Sequence, residues 1–387
     1  MLATAISAPA IGQEVDQPPD LLVIRPTVRA TYDDNIMKLS KIRAPNDRDD
    51  LRFTPTIDFT VRRLIAGQHQ LTLTGMAGYD LHRTNKFLNR ERIEATAQVN
   101  VAVAGACTVR PGASVNWAQA NLSDQGFVAG NTLRQTDLEV TVACRRAAGL
   151  YPTASGRISR AINTAQSREL FNLHNEFASA GVGYRVPSIG DLIAMVEYER
   201  FDRPKFRSRL GIDDRSSTWR YGLLFTRNVA PRVSFRAAVN YFRVDPRAAG
   251  LDDFSGVGFE GGINFRPSPP LSINLRGARA ATSQGNTGST YVIQTRWQLT
   301  AAYQLGAETE FQLGAQLNRR NFRDELLVDT PFPRDFDRTS TFNAGVTRAL
   351  NEKIRAGLSA RYERRNANIA YYEYDSASVT AQIGVRL

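Results

Sequence analysis

The sequence predicts an all-β protein: a transmembrane antiparallel up-and-down β-barrel of about 18 strands, with 16 as the alternative count. Three observations lead there. Apolar and polar side chains alternate with period two through most of the 387 residues, the mark of strands that separate two environments. No apolar run approaches the roughly 20 residues that a membrane-spanning helix needs. The connections alternate between tight turns and long polar loops, the asymmetry of a barrel whose turns face the periplasm and whose loops face outside.

The strands follow in order. Segment 21–32 opens the series and ends on Tyr32. In 49–63, Leu51, Phe53, Pro55, Ile57, Phe59 and Val61 oppose Arg52, Thr54, Thr56, Asp58, Thr60 and Arg62 without a break. In 69–83, Leu71, Leu73, Ala77, Tyr79 and Leu81 oppose Thr72, Thr74, Asp80 and His82; in 90–104, Ile93, Ala95, Ala97 and Val99 oppose Glu94, Thr96, Gln98 and Asn100. Segments 107–120 and 132–145 flank a polar loop. Alternation is poorest in 151–165 and 171–185, the two segments behind the 16-strand alternative. It returns in 190–203 and in 216–229, where Trp219, Tyr221, Leu223 and Phe225 share a face. Segment 231–245 follows with Val233, Phe235, Ala237, Val239 and Tyr241, and 253–266 with Val257, Phe259, Ile263 and Phe265. Segments 270–281, 290–305, 307–322, 337–350 and 353–365 continue the series. The last, 371–387, sets Val379, Ala381, Ile383, Val385 and Leu387 against Thr380, Gln382, Gly384 and Arg386.

These strands are far longer than the 5 or 6 residues usual in soluble sheets. A soluble propeller would repeat about every 40 residues, and no such repeat is present. Soluble strands of this length would also leave edges to be covered, whereas lipid demands closure. Tyr32, Tyr79, Trp117, Trp219, Tyr241, Tyr291 and Tyr362 are expected near the loop-side ends of the apolar faces, where amphipathic rings favour the membrane interface.

The alternate positions are expected to face the lumen. They include Arg25, Arg29, Arg52, Arg220, Arg236, Arg266, Arg276, Arg296, Arg355 and Arg361, with Glu94 and Glu260 among the carboxylates. The balance is basic, in keeping with a net charge of +11. Two readings stay open: opposed charges that brace the wall, and a water-filled channel that favours anions because rings of arginine lower the barrier to negative charge. The arginines run from Arg25 to Arg386 without gathering on a recognisable module, so nucleic acid is not an expected partner.

No catalytic site is expected. His69 lies by a tight turn, and His82 and His174 are expected at the loop-side rim on the lumenal face. No Gly-x-Ser-x-Gly or phosphate loop is present. The two cysteines form no C-x-x-C pair, which argues against zinc, and no cofactor is implied. Asp33-Asp34-Asn35 with Asn46, Asp47, Asp49 and Asp50 matches no EF-hand spacing and reads as a solvated loop. Cys107 begins one strand and Cys144 ends the next. A hairpin would bring them close on one face at the periplasmic end, where an oxidising compartment permits a disulfide if the register allows it.

Residues 1–20 read as a residual export signal and periplasmic tail, with Ala8-Pro9-Ala10 in the small-x-small form of a cleavage site. Residues 21–387 read as one barrel in a bacterial outer membrane.

Three stretches carry a family resemblance. Pro26-Thr-Val-Arg-Ala-Thr-Tyr-Asp-Asp-Asn-Ile36, Phe53-Thr-Pro-Thr-Ile-Asp-Phe59 and Gly67-Gln-His-Gln-Leu-Thr-Leu73 resemble the opening of the putative β-barrel porin 2 family, the Tyr-Asp-Asp-Asn element being the most specific. The resemblance implies a Gram-negative outer-membrane channel or accessory protein for exopolysaccharide or capsule secretion. It also implies polysaccharide synthesis and export proteins as partners, beside outer-membrane lipid and the barrel assembly machinery. Leu387 stands where such barrels carry a terminal aromatic. The expected function is a porin-like channel linked to export of acidic exopolysaccharide. The alternative is a structural or adhesive envelope barrel with a plugged lumen; a general diffusion porin or a barrel hydrolase ranks below both.

Overall fold

Period-two alternation gives a strand one apolar and one polar face, and a sheet built from such strands must bury the first in lipid or in a core. The computed structural model describes residues 20–44, 48–66, 69–103, 107–124, 130–248, 251–282, 287–325 and 333–387. Eighteen strands form one sheet. They are β1 (Leu21–Asp33), β2 (Asp50–Ile65), β3 (His69–His82), β4 (Arg90–Val103), β5 (Cys107–Gln119), β6 (Thr132–Ala143), β7 (Gly149–Asn163), β8 (Leu173–Val186) and β9 (Gly190–Asp202). The second half comprises β10 (Ser216–Ala230), β11 (Val233–Pro246), β12 (Phe254–Ser268), β13 (Leu271–Thr282), β14 (Ser289–Leu305), β15 (Thr309–Glu325), β16 (Phe336–Ala349), β17 (Ile354–Ala367) and β18 (Tyr374–Val385).

Each strand pairs antiparallel with its neighbours in sequence. β18 returns to β1, with Thr27 opposite Gly384 and Asp33 opposite Ser378. The sheet therefore closes without a free edge, as lipid requires. The 16-strand alternative falls, because the poorly alternating β7 and β8 pair from Gly149–Arg185 to Ala161–Leu173. Residues 1–19 of the expected tail, and Asn46 and Asp47 of the acidic loop, lie outside the described residues.

The outward face is the apolar one. Ile57, Leu138, Val239, Leu313 and Leu358 all stand exposed on it, which only a lipid surround makes favourable for so many large apolar side chains at once. Tyr32, Tyr79, Trp219, Tyr241 and Tyr362 share this face at the loop-side ends of their strands, as expected. Trp219 lies against Tyr198 with ring centroids 4.8 Å apart. Tyr291 does not join them: it is only 3% exposed and packs inward with Phe242, Val244, Ala281 and Ile293.

Four of the described connections contain helical turns, three of them short 3-10 turns at Lys86–Leu88, Gln166–Phe171 and Ala370–Tyr372. Residues Pro204–Leu210 form the helix α1, with proline in the first turn, where its missing N–H costs nothing. Gly211, at φ 70°, ends it in the left-handed conformation that glycine adopts without strain. At the periplasmic end Cys107 and Cys144 form a disulfide one step beyond the Thr108–Ala143 pair of β5 and β6.

His174 is a correction. It shares its face of β8 with Val182 and Tyr184, both exposed to the outside, and bonds to Glu176 at 3.0 Å on the outer rim. Polar-in, apolar-out fails here because Leu173 takes the lumenal position, where it packs with Ala161 and Phe201. His82 does face the lumen and bonds to Asp50 at 3.2 Å.

Candidate functional site

The chemistry of a barrel lies on its inner wall and in the loops that fold into it. Two elements enter the extracellular mouth. The first is the connection after β5. Asp124 on it receives Arg320 Nη2 at 2.8 Å and Nη1 at 2.9 Å, Arg365 Nη1 at 2.9 Å and Arg334 Nη1 at 3.2 Å. Arg320 also donates from Nε to Asp337 at 2.9 Å, and Arg365 reaches the Ser123 carbonyl at 3.2 Å. The Arg334 guanidinium lies over the rings of Phe322 (4.5 Å) and Tyr372 (4.3 Å). Burial alone would raise the Asp124 carboxyl. The guanidinium groups of Arg320, Arg365 and Arg334 overcome it and hold the carboxyl well below the usual carboxylate range.

Leu122 on the same connection packs with Met37, Leu39 and Leu88, so the loops after β1, β3 and β5 share one small core. Burying five charges is tolerable only because each is paired and hydrogen-bonded.

The second element is the tip of the β13–β14 hairpin. β12 and β13 stop pairing at Phe259–Arg279, while β13 and β14 pair on to Thr282–Val292. Above that point Ala281, Tyr291 and Ile293 share the parity of the outward Trp297 and Leu299, yet they pack on Phe242 and Val244 of the lumenal face of β11. The tip has left the wall and lies inside the barrel, which explains why Ser289–Gln294 is buried on both faces. Tyr291 is drawn inward for this reason. Arg203, completely buried, holds the tip by donating to the carbonyls of Thr287 (2.6 Å) and Ser289 (3.4 Å) while paired with Asp214. Arg220 donates to the Ala281 carbonyl at 3.0 Å.

Below these elements the expected lining residues divide into two groups. Arg29 pairs with Asp58 at 4.0 Å, Arg52 with Asp80 at 3.8 Å and Arg236 with Glu260 at 3.1 Å. Arg220 lies 2.6 Å from Glu199 and 3.8 Å from Glu197, and Arg361 pairs with Glu363. Arg25, Arg266, Arg276, Arg296, Arg355 and Glu94 hold lumenal parity and form no ion pair among the described residues. Arg296 Nε is buried without a hydrogen-bond partner.

Around Arg276 and Arg296 the wall is rich in amides. Asn264 faces Asn274, Arg276 faces Gln298, Gln298 faces Gln316 and Arg296 faces Asn318 in successive cross-strand rows of β12 to β15. No carboxylate interrupts those four pairs. Among the described residues no cluster of His, Cys, Asp and Glu is arranged to hold a metal ion.

The sequence reading missed Asp124, Arg203, Asp214, Arg320, Arg334, Asp337 and Arg365. One signal was present for the hairpin tip, that Tyr291-Val292-Ile293 is apolar on both faces, but Leu21–Ile24 of β1 and Leu192–Val196 of β9 share it and stay in the wall. The clamp had none, since it joins residues about 200 positions apart (196 for Asp124 and Arg320).

Residues 213–387, from the last residues before β10 to the end of the chain, match the family model for putative beta-barrel porin 2. This bears out the family read from the sequence, although the match lies downstream of the three stretches that carried the resemblance. No curated protein matches the chain in sequence. Similar solved structures include OccK3 (OpdO) of Pseudomonas aeruginosa, at 13% identity and a TM-score of 0.48, covering 95% of both chains. OpdK of the same organism, crystallised with vanillate, is 12% identical with a TM-score of 0.49, covering 95% of this chain and 99% of that one. OccAB3 of Acinetobacter baumannii is 10% identical with a TM-score of 0.48 and the same coverage. The chain is an outer-membrane β-barrel of porin-like fold.

Proposed function

We propose that the barrel is a channel for anionic carbohydrate and serves the export of an acidic exopolysaccharide. One observation carries the reading: Arg276 and Arg296 lie without carboxylate partners on a wall of Asn and Gln side chains. A guanidinium binds a carboxylate through two parallel hydrogen bonds, and amides donate to and accept from sugar hydroxyls. A uronic-acid polymer presents both groups along its length. Arginines already satisfied by Asp58, Asp80, Glu197, Glu199 or Glu260 act in this reading as braces of the wall. Nothing in the reading calls for catalysis.

The test is the reversal potential of the purified barrel in a planar bilayer under a salt gradient, together with the polysaccharide secreted by a deletion strain. Anion preference and a secretion defect are expected. Cation preference with undiminished secretion would remove the proposal.

A second reading, an envelope barrel with a plugged lumen, draws on the Asp124 clamp and the inward β13–β14 tip. Absence of conductance, combined with normal secretion after deletion, would favour it.

A further inference from the structure

At the periplasmic end of the lumen, where the barrel closes on itself, arginines converge on a glycine. Gly384 of β18 lies directly opposite Arg355 of β17 on one side and Thr27 of β1 on the other. Arg25 lays its stem over this glycine: a Cβ there would fall 3.3 Å from Arg25 Cδ. Pairing runs on past the strand, with the Leu387 N–H donating to Ile24 O at 2.9 Å and the Arg386 N–H to Lys353 O at 2.7 Å. Arg386 thereby takes the next lumenal position of β18.

Arg25, Arg355 and Arg386 form no ion pair among the described residues. Asp58 faces Arg25 from β2, but its carboxylate is engaged by Thr27 Oγ1 at 2.9 Å and by Arg29 at 4.0 Å. The adjoining β16–β17 turn adds Lys353 beside Glu352, while the periplasmic turns farther round the ring carry Arg146, Arg232, an Arg145 paired with Asp191 at 4.0 Å and a Glu308 paired with Arg348 at 3.8 Å. Gathered guanidinium groups repel one another, and with Asp58 already engaged by Thr27 and Arg29 much of their field is left for an anion to relieve. The extracellular mouth is the opposite case, since Arg320, Arg334 and Arg365 already hold Asp124.

We propose that Arg25, Arg355 and Arg386 form the loading site at which an anionic polysaccharide, arriving from the periplasm, first engages the barrel. The proposal rests on the channel reading above and adds to it a direction and a first contact. The position selects the partner. All three arginines lie on the inner face of a closed wall, so lipid headgroups outside cannot reach them and a folded acidic protein is too broad to follow. A narrow chain with repeated carboxylates fits, each contact weak and several acting together.

The experiment uses the full chain in lipid nanodiscs and fluorescently labelled polygalacturonate as the probe, with neutral dextran as control. Three triple variants are compared: Arg25→Gln/Arg355→Gln/Arg386→Gln, the same positions changed to Lys, and Arg209→Gln/Arg243→Gln/Arg364→Gln at the extracellular end. Each is first shown to be folded by its heat-dependent gel mobility. The glutamine triple at the seam is expected to weaken polygalacturonate binding about tenfold or more, the lysine triple to retain most of it, and the extracellular triple to match wild type. Equal loss in the two glutamine triples, no loss in either, or equal binding of dextran would overturn the loading site. So would displacement of the polymer by a folded acidic protein. Failure of the export reading looks different: the seam triple loses binding, yet deletion of the barrel leaves secretion intact.

Discussion

Asp124, on the connection that follows β5, accepts hydrogen bonds at 2.8 and 2.9 Å from the two terminal nitrogens of Arg320 on β15. In a ring of 18 strands these two lie eight apart by the shorter way round, nearly across the lumen. A loop rooted in one wall is thus fastened to the other, and its contacts are charge-assisted and buried. The width of the extracellular mouth is tied to one carboxylate.

Asp124→Asn keeps the shape and removes the charge, leaving Arg320, Arg334 and Arg365 around a neutral amide. Breaking one side of a buried pair typically costs about 3–5 kcal/mol. The barrel wall, closed by backbone hydrogen bonds, should survive, and the loop should leave its dock. Single-channel recording is expected to show a conductance roughly twofold or more above wild type. An unchanged conductance would mean that the clamp does not set the width of the mouth.

The same carboxylate gives the clamp its acid response. Its folded-state pKa lies below that of an ordinary carboxylate, about 3.9. Its contribution is therefore fully present above that value and is lost as pH falls through the depressed one. Conductance should hold steady from neutral pH to about pH 4 and rise only below it. A rise between pH 7 and 5 would place the control in some other group.

The fold was legible because lipid imposes its pattern on most strands, and closure follows from alternation and loop asymmetry, while the poorly alternating β7 and β8 left the count at 18 or 16 until their pairing fixed it. The clamp was not. Asp124 and Arg334 sit in polar loops where any charge is unremarkable, and their meeting depends on loop paths that no local pattern encodes. Tyr291 shows the same limit from the other side: its parity in β14 is that of Trp297, and only the inward bend of the hairpin separates their surroundings. Arg276 and Arg29 read alike in sequence, and only cross-strand register shows that one has Asp58 nearby and the other Gln298.

Gly277 has a physical reason to be glycine. It stands opposite Trp297 on the lipid face, and a Cβ added there would lie 2.4 Å from the indole ring. Gly277→Val should force the ring away or shift the strand, an overpacking cost of about 1–3 kcal/mol. The folded, fast-migrating band on an unheated gel should disappear at a lower temperature or denaturant concentration than in wild type. Gly261→Val on the same face of neighbouring β12, where the nearest atom would be 3.7 Å away, should change little. Equal effects would point to backbone conformation rather than the ring.

Arg276 and Arg296 decide whether the amide-lined wall acts on ions. Neither is needed to hold a carboxylate in place, so replacing them leaves no buried acid unpaired, unlike Arg220, whose loss would strand Glu199. Arg276→Gln/Arg296→Gln should therefore fold and insert as wild type. Its anion-to-cation permeability ratio should fall about threefold or more, because the field along that wall loses both unpaired positive charges. Arg29→Gln, which removes a braced arginine, should shift the ratio less, since Asp58 loses its counter-charge at the same time. If the double variant keeps the wild-type ratio while Arg29→Gln lowers it, the selective surface lies on the β1–β3 wall, and the unpaired arginines of β13 and β14 are bystanders.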